Sequence, residues 1–237
     1  MKNNFLILTL VLGIWSCTNS PKESITLSVL ADKTDSLIPK PKITHIKSFL
    51  QDVKYEEGTR NFYFQSITDA NVNTSFYARI PKADPFGNSL QRSANIQKFF
   101  KQIDILIATV NEAQTAYTSS SILKPLLVQL ERVQKQTTSQ KVVLLYSDLL
   151  EASDVFNVYR KRNQQLLITS PEKVVERLQS QLDVPKLENV HLYIIYYPTD
   201  RLNNRLFEKM TLVYKELFKG SGLKIHIGID NQIQMQR

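Results

Sequence analysis

Short runs of β-branched and aliphatic residues alternate along this chain with stretches in which apolar residues recur at threes and fours. That alternation limits the fold more than any other property of the sequence. Ile25 to Ala31, Arg60 to Thr68, Thr74 to Ile80, Lys141 to Tyr146, His191 to Tyr197 and Leu223 to Ile229 have the composition of strands. Between them, Ile43, Ile46, Phe49, Leu50 and Val53 fall on one helical face, as do Ile96, Phe99, Phe100, Ile103, Leu106, Ile107 and Val110. Ile122, Leu126, Leu127, Leu130 and Val133 form a third such pattern, Val174, Val175, Leu178 and Leu182 a fourth, and Leu206 to Phe218 the last. The turn residues Asp69-Ala70-Asn71 predict that the second and third strands form a hairpin or lie side by side. With no internal repeat, the pattern defines one α/β domain over 25–237: a doubly wound, mostly parallel sheet with helices on both faces.

Three polar clusters stand where strands give way to loops. The first strand ends in Asp32, Thr34 and Ser36, one carboxylate and two hydroxyls at every second position. Thr118-Ser119-Ser120-Ser121 directly precedes the third helical pattern; one of these hydroxyls is expected to cap the helix, leaving the others free. The fourth strand closes on Ser147-Asp148. Sites in open parallel sheets form beyond the carboxyl ends of the strands, where these loops gather. Carboxylate and hydroxyl oxygens are the ligands that hard divalent cations prefer, so the clusters predict a metal site.

Asp32-Lys33-Thr34-Asp35-Ser36 resembles the Asp-x-Ser-x-Ser loop of the von Willebrand factor A domain, with Thr34 in place of the first serine. Ser147-Asp148 is similar to that family's later aspartate loop, with Leu149 where glycine often follows, and the order of elements agrees from Ile25 to Ile229. The resemblance implies a vWA-like, Rossmann-like fold and a metal-ion-dependent adhesion site. Asp32, Thr34 and Ser36 would be the first-loop ligands of Mg²⁺ or Mn²⁺, Ser120 or Thr118 the second-loop ligand, and Asp148 the last. It further implies adhesion or envelope assembly rather than catalysis, with an acidic residue of a partner protein completing the metal's shell.

Other readings fit the same residues. Asp32 and Asp148 can simply cap loops at the sheet ends, leaving a metal-free scaffold. Asp32-Lys33-Thr34 also resembles the aspartyl-phosphate loop of haloacid dehalogenase-like phosphatases and cation pumps, where the aspartate is the nucleophile and Mg²⁺ assists. Those enzymes need a later lysine and a paired acidic loop, for which only Asp148 with Asp154 can be offered. His45, His191 and His226 are far apart and lack zinc-site spacing, and there is neither a Gly-x-Ser-x-Gly elbow nor a glycine-rich phosphate loop.

The amino-terminal segment reads as a leader. Residues 1–16 are expected to be a signal peptide, with an apolar run from Phe5 to Ile14 that is too short to span a bilayer. Leu12-Gly13-Ile14-Trp15-Ser16-Cys17 resembles the lipobox of bacterial lipoproteins. Cys17, the only cysteine, would be diacylated, with residues 17–24 forming the lipidated cysteine and tether. One cysteine also excludes an intramolecular disulfide and a Cys/His catalytic pair. The net charge of +8 is spread without a run of five basic residues. An anionic membrane surface accounts for it, and nucleic-acid binding is not expected because no reader motif accompanies the charge. The expected location is the cell envelope, anchored to a membrane and facing the periplasm.

Overall fold

The computed structural model describes residues 23–68, 75–113 and 120–228. Cys17 and the leader, the turn at Asp69-Ala70-Asn71, Thr118 and Ile229 lie outside the described residues. Strands β1 (Ile25–Asp32), β2 (Arg60–Ile67), β3 (Ser75–Ile80), β4 (Gln140–Tyr146), β5 (Val190–Ile195) and β6 (Lys224–Gly228) form one sheet in the order β3-β2-β1-β4-β5-β6. All neighbours are parallel except β2 and β3, which pair antiparallel from Arg60 opposite Ile80 to Gln65 opposite Ser75. The hairpin expected from the turn residues is therefore the one antiparallel step in this sheet. The architecture is a mostly parallel sheet flanked by helices, of the Rossmann or vWA-like kind.

The helices are α1 (Ile43–Leu50), α2 (Ser89–Glu112), α3 (Leu123–Gln134), α4 (Lys161–Thr169), α5 (Pro171–Gln179) and α6 (Arg201–Leu217). Ile46, Phe49 and Leu50 of α1 and Phe99, Phe100, Ile103, Ile107 and Val110 of α2 pack on one face of the sheet. The other face is covered by α3 through α6, with Leu126, Leu130, Val174, Leu178, Phe207 and Met210 among the contacts. Strand β1 lies between both layers and all eight of its residues are buried, which is why it reads as an apolar run rather than an alternating one. Its residues nevertheless sort by parity: Ile25, Leu27, Val29 and Ala31 face α1 and α2, whereas Leu30 faces α3.

The α3 side of β1 also holds a buried polar seam. Thr26 and Thr138 share a hydroxyl hydrogen bond of 2.8 Å, Asn61 Nδ2 donates to Thr26 Oγ1 at 3.2 Å, and Ser28 donates to Gln129 Oε1 at 3.3 Å. Gln129 in turn donates to Gln65. Burial of these groups is tolerated because they satisfy one another.

Two local expectations need correction. The hydroxyl run before α3 predicts a side-chain cap, but the N-cap position is Ile122 and no side chain there caps the helix. The free amides of Ile122 and Leu123 donate instead to Glu151 Oε2, each at 2.9 Å. Helix α4 has no counterpart in the apolar periodicity, because its sequence Lys-Arg-Asn-Gln-Gln-Leu-Leu-Ile-Thr carries no such period and buries only Asn163 and Leu167.

Candidate metal centre

Strands β1 and β4 are neighbours, so the loops that leave their carboxyl ends lie side by side, and the segment entering α3 reaches the same place. Asp32, the last residue of β1, is the hub. Its Oδ1 accepts from the Thr34 amide at 3.0 Å and from Thr34 Oγ1 at 2.6 Å, closing a tight local turn. Its Oδ2 accepts from Ser120 Oγ at 3.1 Å and Ser147 Oγ at 3.0 Å, partners 88 and 115 residues away. The Ala152 amide donates to the Ser120 carbonyl at 2.7 Å, tying the third loop to the second.

Asp148 follows Ser147, and its Oδ1 accepts from the Leu150 amide at 2.9 Å. Between them Leu149 takes a positive φ of 63°. That left-handed conformation favours glycine, so the leucine here adopts it at some conformational cost. Glu151 is fully buried three residues later, with Oε2 on α3 and Oε1 without a hydrogen-bond partner among the described residues.

Three buried acids thus meet at one end of the sheet. Burial raises the Asp32 carboxyl above the usual range against the pull of its four hydrogen bonds. Burial likewise pushes Asp148 up to about 7, opposed by the Leu150 amide and reinforced by the charges of Asp32 and Asp35. Glu151 is pushed up to about 7 by burial, against hydrogen bonds from Ser153 and the α3 amides. Among the described residues no ion pair reaches any of the three. Lys33, adjacent in sequence, commits its ammonium to the carboxyl end of α2, donating to the Val110 carbonyl at 2.6 Å and the Ala113 carbonyl at 3.4 Å. Lys40 joins it there on the Asn111 carbonyl at 2.6 Å. Both cations satisfy helix-end carbonyls, where positive charge is favoured.

Of the residues named from sequence, the structure joins Asp32, Thr34 and Ser120 by hydrogen bonds and places Asp148 close enough for its charge to couple to Asp32. Ser36 is exposed and lines a cleft of about 440 Å³ beside Asp32, Asp35, Lys40 and Glu112. Thr118 lies outside the described residues. Asp154, the partner offered for a phosphatase-type acidic loop, is exposed and paired with Lys124 at 3.1 Å. Sequence reasoning assigned no role to the Ser147 hydroxyl or to Glu151. Glu151 carried a signal, as the one carboxylate within the apolar run from Leu149 to Phe156 other than the exposed Asp154.

The donor set is all oxygen, two carboxyl groups and three hydroxyls, and no cation pairs with it among the described residues. Those properties suit a hard divalent cation. Among the described residues no group of three or more His, Cys, Asp or Glu side chains is arranged to hold a metal. A cation site at Asp32 would depend on hydroxyls as much as on carboxylates.

No family model matches the chain, and neither does any curated protein. Among solved structures it is similar to an aspartate-to-alanine mutant of the PilB minor pilin from Streptococcus sanguinis, at 11% identity and a TM-score of 0.46, over 89% of this chain and 58% of that one. It is also similar to the VWA domain of SpRpn10, at 8% identity and a TM-score of 0.34, over 87% of each chain. The chain therefore spans 58% of the length of the pilin. These are distant likenesses, and they extend no further than the broad α/β class that the strand order already defines.

Proposed function

We propose that this chain is a membrane-anchored envelope lipoprotein whose vWA-like domain binds a partner protein through a divalent cation, Mg²⁺ or Mn²⁺. Asp32, Thr34, Ser120 and Asp148 would hold the ion directly or through water, with Ser36 entering from the adjacent cleft. The ion, when bound, would supply an open coordination position for an acidic group of the partner. The domain is read as a binding module and not as a catalyst. The observation that carries this reading is the acidic cluster at the carboxyl end of β1, which no described cation pairs, with Lys33 committed elsewhere. Diacylation of Cys17 is the matching proposal for location.

A second reading has its own observation. All four donors around Asp32 already satisfy its two oxygens. A buried carboxyl so engaged can serve as a hub that fixes three loops, which would make the domain a metal-free scaffold. Calorimetric titration of Mg²⁺ and Mn²⁺ into the purified chain separates the two. Saturable binding that is lost in Asp32→Asn, with an unchanged circular dichroism spectrum, supports the metal site. Absence of binding by the parent chain leaves the scaffold.

A further inference from the structure

Phe86 is 97% exposed and Leu90 80% exposed, the two most exposed of the large apolar side chains among the described residues. Single apolar residues on a surface are ordinary, but these two are held outward by ordered backbone. The Phe86 amide donates to Asp84 Oδ1 at 3.0 Å and the Gly87 amide to the Asp84 carbonyl at 3.0 Å. The Leu90 amide donates to Asn88 Oδ1 at 2.9 Å, within the N-cap of α2. A fixed turn and a capped helix start therefore present both side chains without further ordering on contact.

Their place in the fold says what they meet. Ile25 pairs with Arg60 and Arg60 with Ile80, so the segment after β3 leaves the same end of the sheet at which β1 begins. Arg92 in the first turn of α2 donates to the carbonyls of Glu56 at 2.6 Å, Pro81 at 2.9 Å and Gly58 at 3.3 Å. Gly58 packs so closely on Glu23 that a Cβ there would meet the Glu23 carbonyl oxygen at 1.7 Å. One arginine and one glycine thus connect the Phe86 corner to the point where the chain enters the domain. Cys17 precedes Glu23 by six residues, a covalent reach of at most about 20 Å. Along the turn itself, from Pro81 to Arg92, the charged residues are Lys82 and Arg92 against Asp84, with the exposed Glu56 and Glu57 alongside through their carbonyls' hydrogen bonds to Arg92 and to the Ala83 amide.

We propose that Phe86 and Leu90 form a wedge that enters the lipid surface beside the anchor, with Lys82 meeting anionic headgroups. Aromatic and aliphatic side chains flanked by cations are the composition that lies in a membrane interface. The proposal rests on the lipidated reading of Cys17 for its tether only, and it holds whether or not the opposite end of the sheet takes a metal.

The test uses the full chain reconstituted into phosphatidylethanolamine and phosphatidylglycerol vesicles, with Phe86→Trp as reporter and spectra read as differences from the parent chain. The expected result is a blue shift on reconstitution and loss of emission when the acyl chains are brominated. Leu37→Trp, an exposed position beyond the carboxyl end of β1, should stay unquenched. Flotation of Cys17→Ala with the same vesicles reports on the anchor separately. Flotation with no quenching at position 86 overturns the wedge and leaves the anchor standing. A blue shift that depends on protein concentration and not on lipid also overturns it, since a second copy then covers the corner.

Discussion

At the scale of single residues, Glu151 joins fold and site. Its carboxylate replaces a local cap at the start of α3, yet it is fully buried with one oxygen unpartnered among the described residues. The unfolded chain releases this proton near the ordinary value of 4.5, whereas the folded chain holds it up to about 7. The folded state therefore binds more protons in that window, and stability falls as pH rises through it, by on the order of 3 kcal/mol for this group. Urea midpoints measured from pH 4.5 to 8 should decline with rising pH in the parent and decline less in Glu151→Gln, which keeps an acceptor for the α3 amides. Equal slopes would remove Glu151 as a source. Gly222 makes a second case, with φ at 90° and a Cβ that would meet the Leu187 carbonyl oxygen at 1.9 Å. Gly222→Ala should lower the unfolding free energy by at least about 1 kcal/mol, and an unchanged midpoint would mean that the turn before β6 yields without cost.

At the scale of elements, the edge strand β6 carries an acid-sensitive fastening. His191 Nδ1 on β5 and His226 Nε2 on β6 lie 3.0 Å apart with ring planes 3° from parallel, so one nitrogen donates and the other accepts. Tyr193 stacks on His226 at 4.4 Å, and Asp52, Lys54 and Lys224 line the same cleft. Burial lowers both histidine pKa values, and Lys224 lowers them further, as does His226 acting on His191. The unfolded chain then takes up protons first as pH falls. Stability from this pair is present above the usual histidine range and is lost as pH drops below it, because a doubly protonated pair faces two N–H groups across one gap. Hydrogen exchange of the Ile225–Ile227 amides, corrected for intrinsic rates, should quicken at pH 5 relative to pH 7 in the parent and not in His226→Phe. Matching acid dependence in both chains would sink the idea. Elements also differ in how far their sequences disclose them. Strands β1 and β4 are legible because burial on both faces enforces apolar runs, whereas α4 is a polar helix with one buried leucine and shows no period to read.

At the scale of the whole molecule, the sheet separates two ends with different chemistry. Strand β1 has eight residues, about 26 Å at the usual rise, and divides the entry point at Glu23 from the acidic cluster at Asp32. An anchor at the first end would hold the second away from the membrane and open to a partner. If the cluster binds a cation, the ion stabilises the native state by mass action, about 2.7 kcal/mol at a hundredfold excess over Kd. Thermal melts with and without Mg²⁺ should show a rise that is largest above pH 7, where Asp148 and Glu151 are ionised, and that vanishes in Asp32→Asn. A shift of the same size in the variant would place the ion elsewhere.

The sequence by itself determined which segments become strands and, α4 apart, which become helices, and that a carboxylate ends β1, because side-chain periodicity and turn chemistry act over a few residues. It also marked Thr34, Ser120 and Asp148 as oxygen donors at loops. Only the tertiary structure decided which of them meet. Placing β1 between β2 and β4 pairs both of its edges while helices cover both of its faces, and that order brings Ser120 and Ser147 to Asp32 from 88 and 115 residues away. The same packing sends Lys33 to α2, leaves Ser36 in the open cleft, and makes Glu151 the cap of a helix distant in sequence. Hydrogen bonds between such remote partners leave no local pattern, since what selects them is the burial of whole faces against one another.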